Sequence, residues 1–141
     1  MRYFLLSLGL LVIPMVFAKD KSLTLVANTP VSISTPLSIE SIKKIYLLKQ
    51  LNWSNKTPII VINRKSTSSA RKIFEHKLGL SSTKYALYLK KMHYKGMSLP
   101  IIQESKQAVL AFVEKVPGSI AYIEGEVPSG MKNIKIIGSL R

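Results

Sequence analysis

Apolar residues follow two rhythms along this chain, and each change of rhythm marks an element. SLTLVAN (Ser22 to Asn28) is built of β-forming residues and ends in a polar turn, which predicts a first strand. TPVSISTP reads as a loop punctuated by Pro30 and Pro36. A helix should begin near Ser38, stapled by Leu37, with Ile39, Ile42, Ile45 and Tyr46 on one face and Lys43 and Lys44 on the other. KQLNWSNKTP is a turn-rich connection. IIVIN (Ile59 to Asn63) is continuously apolar, as suits a strand covered on both faces of a parallel sheet.

A second helix should start at Ser68 or Ser69 and close at Gly79. Ser81 or Ser82 caps a third, whose Tyr85, Tyr88, Leu89 and Met92 have core spacing, and Gly96 ends it. SLPIIQES reads as a loop. Ser105 opens a fourth helix that buries Val109, Phe112, Val113 and Val116, and strands follow in PGSIAYIEG and NIKIIG. The order β-α-β-α-α-α-β-β predicts one α/β domain, without internal repeats or low-complexity linkers.

The first residues stand outside that pattern. Arg2 precedes an apolar run from Phe4 to Phe17, and Val16 and Ala18 occupy the positions a signal peptidase reads. The run is shorter than the roughly 20 residues a spanning helix needs. Residues 1–18 are therefore read as a cleaved signal peptide and 19–141 as the exported domain, periplasmic and without a stable membrane anchor. Position 19 is Lys, not Cys, so no lipid anchor is indicated.

The chain of 141 residues carries 21 basic and 7 acidic side chains, a net charge of +14. Such an excess attracts anions, polyanions or anionic membrane surfaces. The lysines are scattered rather than blocked, Lys43 and Lys90 falling on predicted solvent faces. An exported protein seldom meets nucleic acid in a functional setting, so no nucleic-acid partner is assigned. With no cysteine, thiol catalysis and thiolate metal sites are excluded.

Catalytic and cofactor templates are missing. Asp20 is the only aspartate, and His76 and His93 have no ligand-type neighbours at metal spacing. There is no G-x-S-x-G elbow and no phosphate-binding P-loop. The reading is a protein that is not an enzyme, with no metal and no cofactor.

What remains is NRKSTSSARKIF, Asn63 to Phe74, at the junction of the second strand and second helix. Free N–H groups and the positive end of the dipole make a helix start a ready anion site. Ser66, Thr67, Ser68 and Ser69 offer hydroxyls, and Arg64 and Arg71 offer forked, charge-assisted donors. The plainer reading is a serine cap followed by solvent-facing cations. A cation in the first helical turn, as at Arg71, costs a few tenths of a kcal/mol unless an anion compensates it. Glu75, at i+4, is an alternative partner, in the weaker order.

Three segments together resemble the phosphate-binding periplasmic proteins of ABC transporters, specifically the second lobe of their two-lobed fold. LSIESIKKIYLLKQLNW is similar to the family's helix and Gly-Lys turn leading to a Trp. IIVINRKSTSSARKIF is similar to its strand, Arg-x-x-x-Ser-Gly-Thr loop and helix. AVLAFVEKVPGSIAYIE is similar to its helix and Pro-Gly-Ala-Ile-Gly-Tyr-Val strand. The resemblance implies a three-layer α/β/α lobe with a mostly parallel central sheet. It places the family's arginine on Arg64 and its serine on Ser68. The next glycine and threonine fall on Ser69 and Ala70, Leu47 and Leu48 stand near the Gly-Lys turn, and Ala121 replaces the second strand glycine. It also places Trp53 at the family's tryptophan, packed over the preceding helix rather than serving as an exposed partner anchor.

The family closes two lobes around phosphate, and here one lobe is expected. The chain is therefore read as an exported protein binding phosphate or a similar oxyanion, weakly, in a half-site of Arg64, Ser66, Thr67, Ser68, Ser69 and Arg71. An ABC transporter or a second chain completing the site is a further expected partner. The alternative is a periplasmic interaction module that keeps the fold and uses its basic surface without a small ligand.

Overall fold

The computed structural model describes residues 21–29, 33 and 36–141; the signal peptide expected at 1–18 lies outside them. Among the described residues five strands and four helices follow in the order β1 (Leu23–Asn28), α1 (Ile39–Tyr46), β2 (Ile60–Arg64), α2 (Ser69–Lys77), α3 (Ser82–Tyr94), β3 (Ile101–Gln103), α4 (Lys106–Lys115), β4 (Ser119–Glu124) and β5 (Ile134–Leu140). The sheet order is β3-β2-β4-β1-β5. β2 pairs in parallel with β3 and β4, while β1 pairs antiparallel with β4 and β5. Four strands thus point one way and only β1 is reversed, so the sheet is mostly parallel in direction.

Alternation along the strands makes the three layers. On β4, Ile120 and Tyr122 join a core with Ile42, Ile45 and Tyr46 of α1 and Ala70 and Phe74 of α2. Their neighbours Ala121 and Ile123 face the opposite way, onto Val109, Leu110 and Val113 of α4. β2 splits likewise, Val61 to the first core and Ile62 to the second. Its unbroken apolar run reflects cover on both faces.

All four helices begin in the same way. The hydroxyls of Ser38, Ser68, Ser81 and Ser105 each accept the N–H three residues on, at 3.1, 3.1, 3.4 and 3.1 Å. Each such cap supplies about 1 kcal/mol.

The structure corrects the expected pattern in three places. Within the SLPIIQES loop, Ile101–Gln103 forms the edge strand β3, too short and too close to Pro100 for alternation to reveal it. Ile39 is exposed, so α1 buries only the other three residues of its expected face. Phe112 is half-buried, Val116 is half-buried and caps α4 instead of lying within it, and Leu110 joins Val109 and Val113 on the buried face.

Trp53 packs inside, 3% exposed, and its indole N–H donates to the Gly118 carbonyl at 2.9 Å. Gly118 must be glycine: its φ is +81°, and a Cβ would lie 2.3 Å from the Pro58 carbonyl oxygen. Leu48, near the turn where the resemblance expects glycine, adopts φ +59° and is buried. A leucine in that left-handed conformation costs about 1 to 2 kcal/mol, an expense offset by the apolar surface it buries.

Candidate functional site

β2 and β4 are parallel neighbours, and the residues that end them, Arg64 and Glu124, meet beside the start of α2. In open α/β sheets the crevice beyond the carboxyl ends of such strands is where ligands bind. The turn from Arg64 to Ser68 is tight, closed by the Ser68 N–H on the Lys65 carbonyl at 2.9 Å. It leaves Ser66, Thr67 and Ser69 exposed and Ser68 half-buried as the cap. Ser68 takes the Arg71 N–H, so the first-turn N–H groups of Ser69 and Ala70 are left without intrahelical acceptors.

Beside that start lies a hollow of about 380 Å³ lined by Lys21, Ser22, Ser69, Ala70, Glu124 and Gly125, among others. The reversed strand β1 begins where β4 ends, which is how Lys21 reaches this rim. Lys21 and Glu124 carried no sequence signal, because only the pairing of β1 with β4 places them here.

The two arginines have different surroundings. Arg64 is 7% exposed, and its Nη1 donates to Glu124 Oε1 at 2.8 Å across 60 residues of sequence. Its Nε is buried without an acceptor. The backbone N–H of Arg64 donates to Asn63 Oδ1 at 2.9 Å and to the Tyr122 hydroxyl at 3.2 Å. Arg71, by contrast, turns inward. Its Nε donates to Glu75 Oε1 at 2.8 Å, its Nη1 to the Arg64 carbonyl at 2.8 Å, and its guanidinium lies 5.2 Å from the centre of the Tyr85 ring. A cation in the first turn of α2 is therefore matched by a carboxylate one turn later, inside the protein.

Tyrosines carry this network through the core. Tyr85 donates to the Tyr46 carbonyl at 2.9 Å, Tyr46 to the Ile62 carbonyl at 2.8 Å, and Tyr122 to Asn63 Oδ1. Phe74 stacks on Tyr122 with ring centres 3.9 Å apart. Burial pushes the hydroxyls of Tyr46, Tyr85 and Tyr122 above the ordinary tyrosine range; the nearby Arg71 charge opposes that shift without cancelling it. They stay protonated as hydrogen-bond donors, and the end of β2 is held rigid beneath the α2 start.

The six residues singled out from sequence thus divide. Ser69 lines the hollow, Arg64 pairs with Glu124 on its rim, Ser66 and Thr67 are exposed in the turn and Ser68 is the cap, while Arg71 braces the main chain of Arg64. No protein-family model matches the sequence, and no curated protein matches it. Solved structures do share its fold, among them the following three. A phosphate ABC transporter substrate-binding protein from Clostridium perfringens, determined with bound phosphate, superposes with a TM-score of 0.66 at 20% identity, over 83% of this chain and 44% of that one. An ABC-type phosphate transport receptor from Vibrio cholerae gives 0.64 at 20% identity, over 83% and 46%. PstS from Borrelia burgdorferi gives 0.56 at 23% identity, over 74% and 40%.

Each match spans less than half of the other protein. The chain therefore has the α/β fold found in part of these phosphate-transport substrate-binding proteins. At such identities the likeness speaks for the fold alone.

Proposed function

We propose that this chain is an exported oxyanion-binding protein, with phosphate as the preferred anion, and that the anion sits over the start of α2. The observation that carries the reading is the end of β2 and start of α2: two first-turn N–H groups without intrahelical acceptors and three exposed hydroxyl residues, with the charged pair Arg64–Glu124 at the strand ends. Ser66, Thr67, Ser68 and Ser69 contribute hydroxyls, Arg64 contributes charge, and Arg71 positions Arg64 through its carbonyl. Glu124 gives a reason to prefer phosphate over sulfate. Its carboxylate accepts hydrogen bonds, and hydrogen phosphate brings a proton to donate where sulfate brings none.

The hollow is open to solvent, so affinity is weak unless a second chain or a transporter covers it. Export follows from the expected signal peptide, and a mature N-terminus at Lys19 by mass spectrometry is its direct check. The charge pattern also favours a second reading. Both arginines already have carboxylate partners, as in a module that keeps the fold and works through its basic surface.

Calorimetric titration with phosphate, and with sulfate as control, separates the two. The anion reading expects Arg64→Ala to weaken phosphate binding about tenfold to a hundredfold, the range for a charged hydrogen bond. Lys44→Ala, on the exposed face of α1, should change little. A basic-surface module expects both substitutions to act alike and salt to weaken every variant together.

A further inference from the structure

Arg71 is 5% exposed, yet one of its donors is unused. Nε and Nη1 are taken by Glu75 and the Arg64 carbonyl, while Nη2 has no acceptor among the described residues. Arg71 is also part of the wall of a pocket of about 340 Å³ between α3 and the approach to β3, lined by Ala86, Leu89, Lys90, His93, Leu99, Pro100 and Ile102. Most of that wall is apolar, and Leu99 and Ile102 are 39% and 50% exposed. Lys90, which the sequence assigns to a solvent face, stands at this pocket.

We propose that this pocket binds a monocarboxylate carrying a short apolar group. The charge sets the valence: Glu75 already neutralises Arg71, so Lys90 supplies the one net positive charge. A guanidinium edge with free N–H groups suits a carboxylate. The walls set the body. A hydrated dianion such as phosphate would have to shed water against Leu89, Leu99, Pro100 and Ile102 with nothing to replace it, whereas a short hydrocarbon gains by covering them. The volume lies at the small end of ligand pockets. The site uses neither Arg64 nor the serines, so it stands or falls separately from the oxyanion reading.

The same chemistry is available in a free carboxylic acid and in the terminal residue of a polypeptide. Hexanoate and N-acetyl-leucine represent the two sources, with hexanamide, N-acetyl-leucinamide and acetate as controls, in backbone amide NMR titrations. Saturable shifts should appear across residues 86–93 and 99–102 with one or both acids. The amides should produce none, and acetate should bind more weakly. Lys90→Ala should weaken the acid about two- to fivefold, as expected for an exposed ionic contact. Leu99→Ser should weaken it too, while Lys44→Ala leaves it unchanged. Tighter binding of N-acetyl-leucine assigns the pocket to a chain terminus, and tighter hexanoate to a free acid. The proposal is overturned if neither acid gives saturable shifts at millimolar concentration, if acid and amide bind equally, or if Lys90→Ala has no effect.

Discussion

Replacing Glu75 by leucine leaves the Arg71 guanidinium buried without its counter-charge. Arg71 and Glu75 are 5% and 2% exposed and joined at 2.8 Å, so the contact is an internal one. Breaking one side of such a pair costs about 3 to 5 kcal/mol, a large share of the roughly 5 to 15 kcal/mol that holds a domain together. Arg71→Met should cost a similar amount, because it strands Glu75, whose Oε2 already lacks a partner, and frees the Arg64 carbonyl. The double variant removes both buried charges and should cost much less than the sum, since apolar replacement of an ion pair is often close to neutral. Urea unfolding, followed by the fluorescence of Trp53, gives the three values. A loss below about 1 kcal/mol for Glu75→Leu would mean the pair behaves as a surface contact, and additive single losses would refute the coupling.

Other outcomes follow from the same packing. Gly118→Ala should cost more than about 2 kcal/mol in the same urea experiment, because both its φ and the Pro58 carbonyl oppose a Cβ. Phe112→Ala should cost less than the roughly 3 kcal/mol at which full core truncation begins, since the ring is only half-buried. Alkaline pH tests the tyrosine network. With folded pKa values raised by burial, Tyr46, Tyr85 and Tyr122 contribute stability that is complete below the unfolded tyrosine pKa of about 10 and lost as pH rises above it. The melting temperature should therefore fall above about pH 10, and phenolate absorbance of these three should appear only together with unfolding.

Periodicity reveals elements and misses partners. The serine caps and the two-faced burial of β2 were legible, because each depends on residues close in sequence or on one unbroken run; the packing of Trp53, whose partner Gly118 is 65 residues away, came only from the family resemblance. β3 was not, since three residues beside a proline carry no rhythm. The weak weight given to the Arg71–Glu75 order reflects surface helices, and nothing local shows that both side chains are inside. Tyr46 and Tyr85 looked like apolar face residues, while their hydroxyls anchor carbonyls 16 and 39 residues away. The Arg64–Glu124 contact likewise depends on two strands becoming neighbours. At the α2 start, sequence alone supplies the donors; the carboxylate beside them comes only with the fold.

The most direct test of the central claim is to watch the first-turn amides of α2 while phosphate is added. In a backbone amide NMR titration, Ser69 and Ala70 should show saturable shifts, larger with phosphate than with sulfate, and Arg64→Ala should abolish them at the same concentrations. Shifts spread evenly over the lysine-bearing surface, with Ser69 and Ala70 no more affected than the rest, would contradict an oxyanion site at this helix start.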